Sequence, residues 1–446
     1  MADDKNLNLL TDLIARARRA GADAADAIYV ESAALEVRRR LGKAEKLERA
    51  ESRDLGLRVF IGKRQAVVSS TVMTETALNE AVERALAMAR AAPEDPQCGI
   101  ADASELAHEF PDLDLCDPTE PSAEQLIERA DRAEAAARAV PGVTNSEGAE
   151  ASWSRSTVAL AASNGFAHSY PVSGTSFGVS VLAGKDGDMQ RDYEFASKIF
   201  AADLPPPEEI GRIAGTRTVA RVGSRKVKTT RVPIVFEPRV SNGIVRSLAG
   251  AINGQSIARG TSFLKDSLDK QIFADGISII DDPFRRRGMR SKPFDGEGIA
   301  PRQRRYIDGG RLTGWFLDLA SARKLGLHST GHAARGTSGP PSPAPTNLYM
   351  EAGRQTPEQL IGGIKDGFYI TEMIGSGVNL ITGDFSRGAA GFWIENGKIA
   401  YPVHEVTVAG NLRDMFKNLT PASDLTFRYG IDAPTLVIEG MTVAGL

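Results

Sequence analysis

Apolar residues recur at helical spacing over residues 5–20, where Leu9, Leu10, Leu13, Ile14 and Ala17 share one stripe and Gly21 offers a stop. The period then drops to two. Leu57, Val59 and Ile61 recur at alternate positions, Gly62-Lys63 suits a two-residue hairpin turn, and Ala66 and Val68 resume the alternation. A second helical stripe runs from about Thr74 to Ala91 through Leu78, Val82, Ala85 and Ala89. Helix, antiparallel meander, helix is an α+β unit. Residues 93–121 hold Pro93, Pro96, Pro111, Pro118 and Pro121 among many aspartates and are expected to form a long surface connection. The unit then recurs in topology, though not in sequence. Ser122 and Gln125 form a capping box for a helix reaching about Ala139, turns at Asn164-Gly165 and Asp186-Gly187 separate strands, and Pro205-Pro206-Pro207 opens a helix to about Arg221.

From Arg231 the pattern changes. The strand RVPIVF (231–236) leads into an amphipathic helix over 239–253, followed by irregular glycine- and proline-rich chain that ends in several strands. A hairpin is expected from Tyr306 to Phe316 around Asp308-Gly309-Gly310. Another is expected from Phe392 to Val408 around Asn396-Gly397, a pair suited to a type I′ turn. The fold class predicted is α+β. An N-terminal α+β domain of residues 1–225, with sub-units 1–92 and 122–225, precedes a β-rich C-terminal domain of residues 226–446.

Composition narrows the function classes. The 446 residues are 42% hydrophobic, enough for two or three domains with substantial cores. The net charge of −3 gives no global attraction to nucleic acid or to a membrane surface. No apolar run approaches the ~18–20 residues that span a bilayer, and the acidic start MADDKNLNLL does not read as a secretory signal. Cys98 and Cys116 are the two cysteines and form no C-x-x-C pair, so a reducing, cytoplasmic setting is expected.

Several stretches carry candidate chemistry. His328 and His332 in HSTGHAARG have the i, i+4 spacing with which a helix presents two imidazoles to one metal ion, and His404 or Glu405 could add a third ligand. Glycines at 326, 331 and 336 oppose a helix there, and Ser329 stands where a zinc protease has its glutamate, so the two histidines are read as polar loop residues. Neither thiol has a basic neighbour able to activate it, and His108 is a weak partner. No G-x-S-x-G elbow and no G-x-x-x-x-G-K-[ST] loop occurs. The basic run from Phe284 to Arg305 is read as a solvated loop whose arginines pair with Asp281, Asp282, Asp295 and Glu297. The small-residue stretch Gly383–Gly391 either makes a tight turn or bulge, or offers an edge to which an extended peptide adds through main-chain hydrogen bonds.

Long segments of the chain resemble the TldD/PmbA family. They include GTSFLKDSLDKQIFADGISIIDDP (260–283), RRYIDGGRLTGWFLDLASARKLG (304–326), PTNLYMEAG (345–353) and the segment from Gly367 to Leu412. LGLRVFIGKRQAVVSST (55–71) and SNGFAHSY (163–170) extend the likeness into the N-terminal half. The resemblance implies a cytoplasmic zinc metallopeptidase, also known as a modulator of DNA gyrase, built from two homologous subunits that degrade unfolded peptides in an internal channel. The TldD subunit carries an H-E-x-x-x-H zinc motif and a cysteine ligand near its C-terminus; the PmbA subunit, also called TldE, lacks them.

The corresponding helix here is 239–253, where the motif positions are Ser247, Leu248 and Ile252, and no cysteine follows Cys116. Leu248 and Ile252 continue a stripe begun by Val240 and Ile244 and are expected to be buried. The resemblance therefore implies a non-catalytic subunit with no metal of its own, and zinc in a TldD-like partner. The expected assembly is a heterodimer with that partner, or a homodimer in isolation, acting on unfolded peptide without direct nucleic-acid or membrane binding. Gly383, Asp384, Ser386, Arg387 and Gly388 are the expected peptide or partner contacts. Two other readings are a self-sufficient metallopeptidase at His328 and His332, and a non-enzymatic protein that binds gyrase or a toxin system.

Overall fold

The computed structural model describes residues 2–445. Its N-terminal half contains α1 (Ala2–Arg19), β1 (Ala24–Arg40), β2 (Lys43–Ile61), β3 (Arg64–Ser70) and α2 (Glu75–Ala91). The same plan follows again as α3 (Ala123–Arg138), β4 (Val143–Ala162), β5 (Ala167–Ala183), β6 (Gln190–Lys198) and α4 (Pro207–Ala220). The two units share one antiparallel six-stranded sheet, β3-β2-β1-β4-β5-β6, joined by β1 against β4. Ala25, Ala27 and Tyr29 of β1 pack with α1 and α2, while Leu35 and Val37, on the same face by alternation, pack with α3 and α4. The opposite face carries Ile28 and Leu160, which meet Phe294, Ile299 and Leu319 of the C-terminal half.

Residues 24–56 are longer in strand than the sequence pattern indicates. ESAALEVRRRLGKAEKLERAESRD is rich in Ala, Glu, Leu, Lys and Arg, which favour helix locally. Pairing of β1 on both edges, with β2 from Ala24 to Arg40 and with β4 from Asp26 to Arg39, overrides that preference. The connection at 93–121 is also more than a surface link. Cys98, Ala101, Leu106, Ala107, Leu113 and Leu115 are buried, and Ala101, Leu106 and Ala107 join the cluster between the two halves.

The C-terminal half begins with β7 (Thr230–Phe236), α5 (Pro238–Ala251), α6 (Gly254–Arg259), β8 (Ile279–Asp282), β9 (Arg304–Asp308), β10 (Arg311–Leu312) and α7 (Leu319–Leu325). It continues with β11 (Ala333–Ala334), β12 (Ser342–Pro343), β13 (Asn347–Met350), α8 (Pro357–Gly362), β14 (Asp366–Ile374) and β15 (Asp384–Glu395). The last elements are β16 (Lys398–Asn411), α9 (Leu412–Lys417), β17 (Leu419–Pro421), β18 (Ile431–Asp432) and β19 (Leu436–Ala444). β11 pairs only with β12. The order β16-β15-β14-β7-β19, with β19 pairing back onto β16 and β17 added outside, closes a small barrel. A second sheet, β10-β9-β8-β13-β18, lies beside it. Both expected hairpins form: β9–β10 turns at Gly309-Gly310, and β15–β16 turns at Asn396-Gly397, where both residues have positive φ as a type I′ turn requires.

Candidate functional site

Helix α5 is the element on which the resemblance places the zinc ligands. Proline at 238 suits the first turn, and apolar residues recur at 244, 245, 248, 249 and 251. The helix contacts β7 and β14 of the barrel and β13 and β18 of the second sheet, so it is held between them. That position decides the chemistry of its last turn. Leu248 and Ile252 have no solvent exposure and belong to the large C-terminal core with Ile234, Phe236, Phe368 and Ile370. The half-buried Ser247 donates its Oγ hydrogen to the Gly243 carbonyl at 2.8 Å. Two hydrocarbons and a hydroxyl turned back onto its own helix do not make a zinc site. The two His-Glu dipeptides elsewhere, His108-Glu109 and His404-Glu405, have Leu113 and Ala409 where the second histidine of the motif would fall. Among the described residues, no three His, Cys, Asp or Glu side chains converge in a way able to hold a metal ion.

The HSTGHAARG stretch is not helical. α7 ends at Leu325, Gly326 closes it in the left-handed conformation, and 327–332 is irregular. His328 is exposed, but His332 departs from the expectation of a polar loop residue. It is fully buried, with Nε2 2.9 Å from Asp281 Oδ2 and Nδ1 2.9 Å from the Thr330 carbonyl. Asp281 also accepts from the Thr346 amide at 2.7 Å and from its hydroxyl at 2.5 Å. Both ring nitrogens are thus engaged in a satisfied network that ties the second sheet to the 330–346 segment. A strand-pattern reading finds no such role, because Asp281 and His332 are 51 residues apart.

The stretch Gly383–Gly391 is not an edge. β15 lies between β14 and β16, and a bulge falls between Ala389 and Gly391. Where β14 has ended, residues 376–379 take its place: the Ser386 amide donates to Gly377 O at 2.7 Å, and the Asn379 amide donates to Asp384 O at 2.8 Å. Main-chain groups of 384–388 are therefore engaged on both sides, and strand addition there is excluded. Gly377 permits the crossing, since a Cβ on it would lie 1.6 Å from Ser386 O. Asp384 accepts from the Thr382 hydroxyl at 2.6 Å and from Asn411 Nδ2 at 3.1 Å, and these bonds hold its carboxyl below the usual range. Gly383 is buried, Ser386 is exposed, and Arg387 is half-buried.

Charges invisible to the sequence pattern fasten the two halves together. Asp192 and Glu194 lie two apart on β6 and are 3% and 2% exposed, which marks them as paired. Arg239 of α5 bonds Asp192 at 2.8 Å and Glu237 at 3.1 Å, while Glu194 receives Arg428 at 2.6 Å and also Arg217. Burial opposes the charge on Asp192, yet the Arg239 guanidinium keeps its carboxyl below the usual range. Arg239 and Arg428 also donate to the carbonyls of Tyr193 and Phe195, capping the outer edge of β6. A second group joins Asp26 to Arg58 on the N-terminal sheet and to Arg335 at 2.5 Å from the C-terminal half. Near it, Glu297 is pushed up to about 8, first by burial and then by the Asp295 carboxylate.

The basic run at 284–305 pairs differently from expectation. Arg286 and Arg287 bond Asp114, Arg287 also bonds Asp203, and Arg305 bonds Glu351. The local acids are occupied: Asp281 holds His332, and Asp295 accepts the amides of Glu297, Ile299 and Ala333. Burial pushes both thiols up, which suits neither Cys98 nor Cys116 to nucleophilic attack.

Comparison with known proteins agrees with this architecture. Residues 25–89, 116–222 and 229–445 match PmbA/TldA metallopeptidase domain 1, the central domain and the C-terminal domain respectively. The chain is 38% identical over 426 residues to the metalloprotease PmbA of Escherichia coli O157:H7, covering 95% of this chain and 92% of that one. It is 35% identical to a PmbA homologue from Haemophilus influenzae, covering 96% and 94%. Its fold superposes on a candidate modulator of DNA gyrase from Bacteroides thetaiotaomicron with a TM-score of 0.91, at 27% identity and 100% coverage of both chains. TldE from Thermococcus kodakarensis shares the fold at a TM-score of 0.87 and 20% identity, covering 98% of this chain and 100% of that one.

Proposed function

We propose, because this chain belongs to the PmbA/TldD metallopeptidase family, that it is the non-catalytic, TldE-like subunit of a two-subunit peptidase. Its partner is a homologous TldD-like chain that carries the zinc, its ligands and the general base. The observation behind this reading is α5: Leu248 and Ile252 are core residues, and among the described residues no ligand set replaces them. In the partner the metal would lower the pKa of a bound water and polarise the scissile carbonyl. This chain's part is to complete the chamber, confine an extended, unfolded peptide and exclude folded protein. Contact with peptide or partner at Gly383–Gly388 then runs through side chains, since the main chain is already engaged. Among the described residues no helix is long and apolar enough to cross a membrane, and a cytoplasmic assembly fits the two unpaired cysteines.

Affinity-tagged chain drawn from its own cells tests the proposal. A TldD-like protein should co-purify, and the pair should cleave an unfolded peptide that neither chain cleaves alone. Hydrolysis by this chain by itself, or recovery without such a partner, overturns the proposal.

A further inference from the structure

The six-stranded sheet treats its two edges differently. At β6 the Tyr193 and Phe195 amides donate to Asp192 and Glu194, and the carbonyls of the same two residues accept from Arg239 and Arg428. The other edge is stepped. β2 begins at Lys43, but β3 covers it only from Leu55 to Ile61. Every residue from Lys43 to Arg53 is exposed. The two-residue turn makes Ile61 and Arg64 a hydrogen-bonded pair, so Leu55, Leu57 and Val59 also aim their main chain at β3. By the same alternation the amides and carbonyls of Leu47, Arg49, Glu51 and Arg53 point to that side, where no described residue bonds them.

The side chains beside this edge suit an extended chain of varied sequence. Arg53–Glu31–Thr157 and Glu51–Ala33–Arg155 form two rows across β2, β1 and β4. The rows lie between Tyr29, which packs with α1 and α2, and Leu35, which packs with α3 and α4. A cleft of about 800 Å³ opens above them and reaches Thr71, just past the end of β3. Arg53 pairs with Glu31 at 2.9 Å and Arg49 with Glu51 at 3.1 Å, so the cleft offers both signs of charge together. On the opposite face the edge carries Ala50 and Ser52, which leave room for bulky side chains.

A second copy of the strand fits this edge poorly. Antiparallel registers centred on Arg49 or Glu51 set like charges opposite one another. The register that matches Arg49 with Glu51 of the copy sets residues 43–45 of that copy against Leu55–Leu57, where β3 already lies. A short peptide ends before it.

We propose that the β2 edge from Leu47 to Arg53 binds an extended peptide through its main chain, in line with β3 and with little side-chain preference. The proposal rests on the peptide-handling reading above and gives it a place. Strand addition, closed at 384–388, is open here.

The test uses a rhodamine-labelled, proline-free peptide in three forms: unmodified, N-methylated at alternate residues, and N-methylated throughout. Binding is read by fluorescence polarisation on the full chain. Hydrogen exchange locates the contact in the isolated chain and in its complex with the TldD-like partner after chelation of the metal. Alternate methylation leaves one peptide edge intact and should preserve affinity, whereas full methylation should weaken binding about tenfold or more. Exchange over residues 47–53 should slow on adding peptide in both preparations. Glu51→Pro removes an outward amide and no bond of the β1–β2 ladder, so it should weaken binding about fivefold or more with circular dichroism unchanged.

Equal binding of the unmodified and fully methylated peptides, or no protection over 47–53, overturns the inference. Protection of 47–53 by the partner subunit alone, or dimerisation of the isolated chain that Glu51→Pro abolishes, also overturns it by assigning the edge to a subunit contact. Its failure is separable from that of the two-subunit reading. Co-purification and cleavage can succeed with 47–53 unprotected, and the edge can hold peptide in a chain that recovers no partner.

Discussion

Truncating Leu248 to alanine separates a core residue from a position on an open, ligand-bearing cleft. The side chain has no solvent exposure and sits on a helix held between a closed barrel and a second sheet, so its surroundings have little freedom to collapse into the space left behind. Leu→Ala at such a site costs about 3–5 kcal/mol, from lost transfer energy together with an unfilled cavity. Leu248→Glu should cost at least as much, because the carboxylate would enter a hydrocarbon cluster without a partner. Urea unfolding followed by tryptophan fluorescence is the assay. Trp315 and Trp393 both lie in the affected cluster, while Trp153 reports on the N-terminal half. The C-terminal transition should move to lower urea with its slope unchanged. A loss below about 1 kcal/mol for Leu248→Ala, or a Leu248→Glu chain as stable as the parent, would refute the reasoning, because an open cleft tolerates both changes.

Three further outcomes follow from the same contacts. Glu297 has a folded pKa of about 8, raised from 4.5. The folded state therefore holds its proton more tightly, and the stability this provides is complete below about pH 4.5 and is lost as pH rises through about 8. Glu297→Gln should remove that part of the decline, so the variant gains on the parent between pH 6 and 9 in denaturation curves; an unchanged difference across that range would contradict the shift. Arg239→Met leaves Asp192 and Glu237 buried and short of a partner and should cost roughly 3–5 kcal/mol, visible as earlier separation of the two halves in hydrogen exchange. His332→Ala should destabilise the chain by about 2 kcal/mol or more by opening the Asp281 network, whereas His328→Ala, at an exposed position, should change melting by less than a degree or two. Equal effects of the two histidine variants would restore the idea that they act as a pair.

What the sequence disclosed depended on whether the deciding contacts were local. α2 was legible because Leu78, Val82, Ala85 and Ala89 repeat at helical spacing, and the β15–β16 turn was legible because Asn396-Gly397 meets a backbone requirement of its own. The β1–β2 ribbon was not, since its Ala-, Glu- and Arg-rich sequence favours helix until β4 supplies a second pairing edge. The α5 stripe was readable from 3.6-residue spacing alone, and the structure adds the reason for its complete burial: a partner layer on each side. Asp192–Arg239 and Asp281–His332 join residues about fifty positions apart, and neither leaves a local signal beyond the two acids spaced i, i+2 on β6. Arg387 sits in a stretch whose small residues suggested an exposed edge. Only the strap at 376–379 reveals that the main chain there is occupied.

Metal content per chain tests the central claim most directly. The isolated chain and its complex with the TldD-like partner, purified without chelator and dialysed against metal-free buffer, would be assayed by elemental mass spectrometry. The account predicts no stoichiometric zinc in the isolated chain and one zinc per heterodimer, lost when the partner's ligands are replaced and unaffected by Ser247→Ala in this chain. One tightly held zinc in the isolated chain would contradict it.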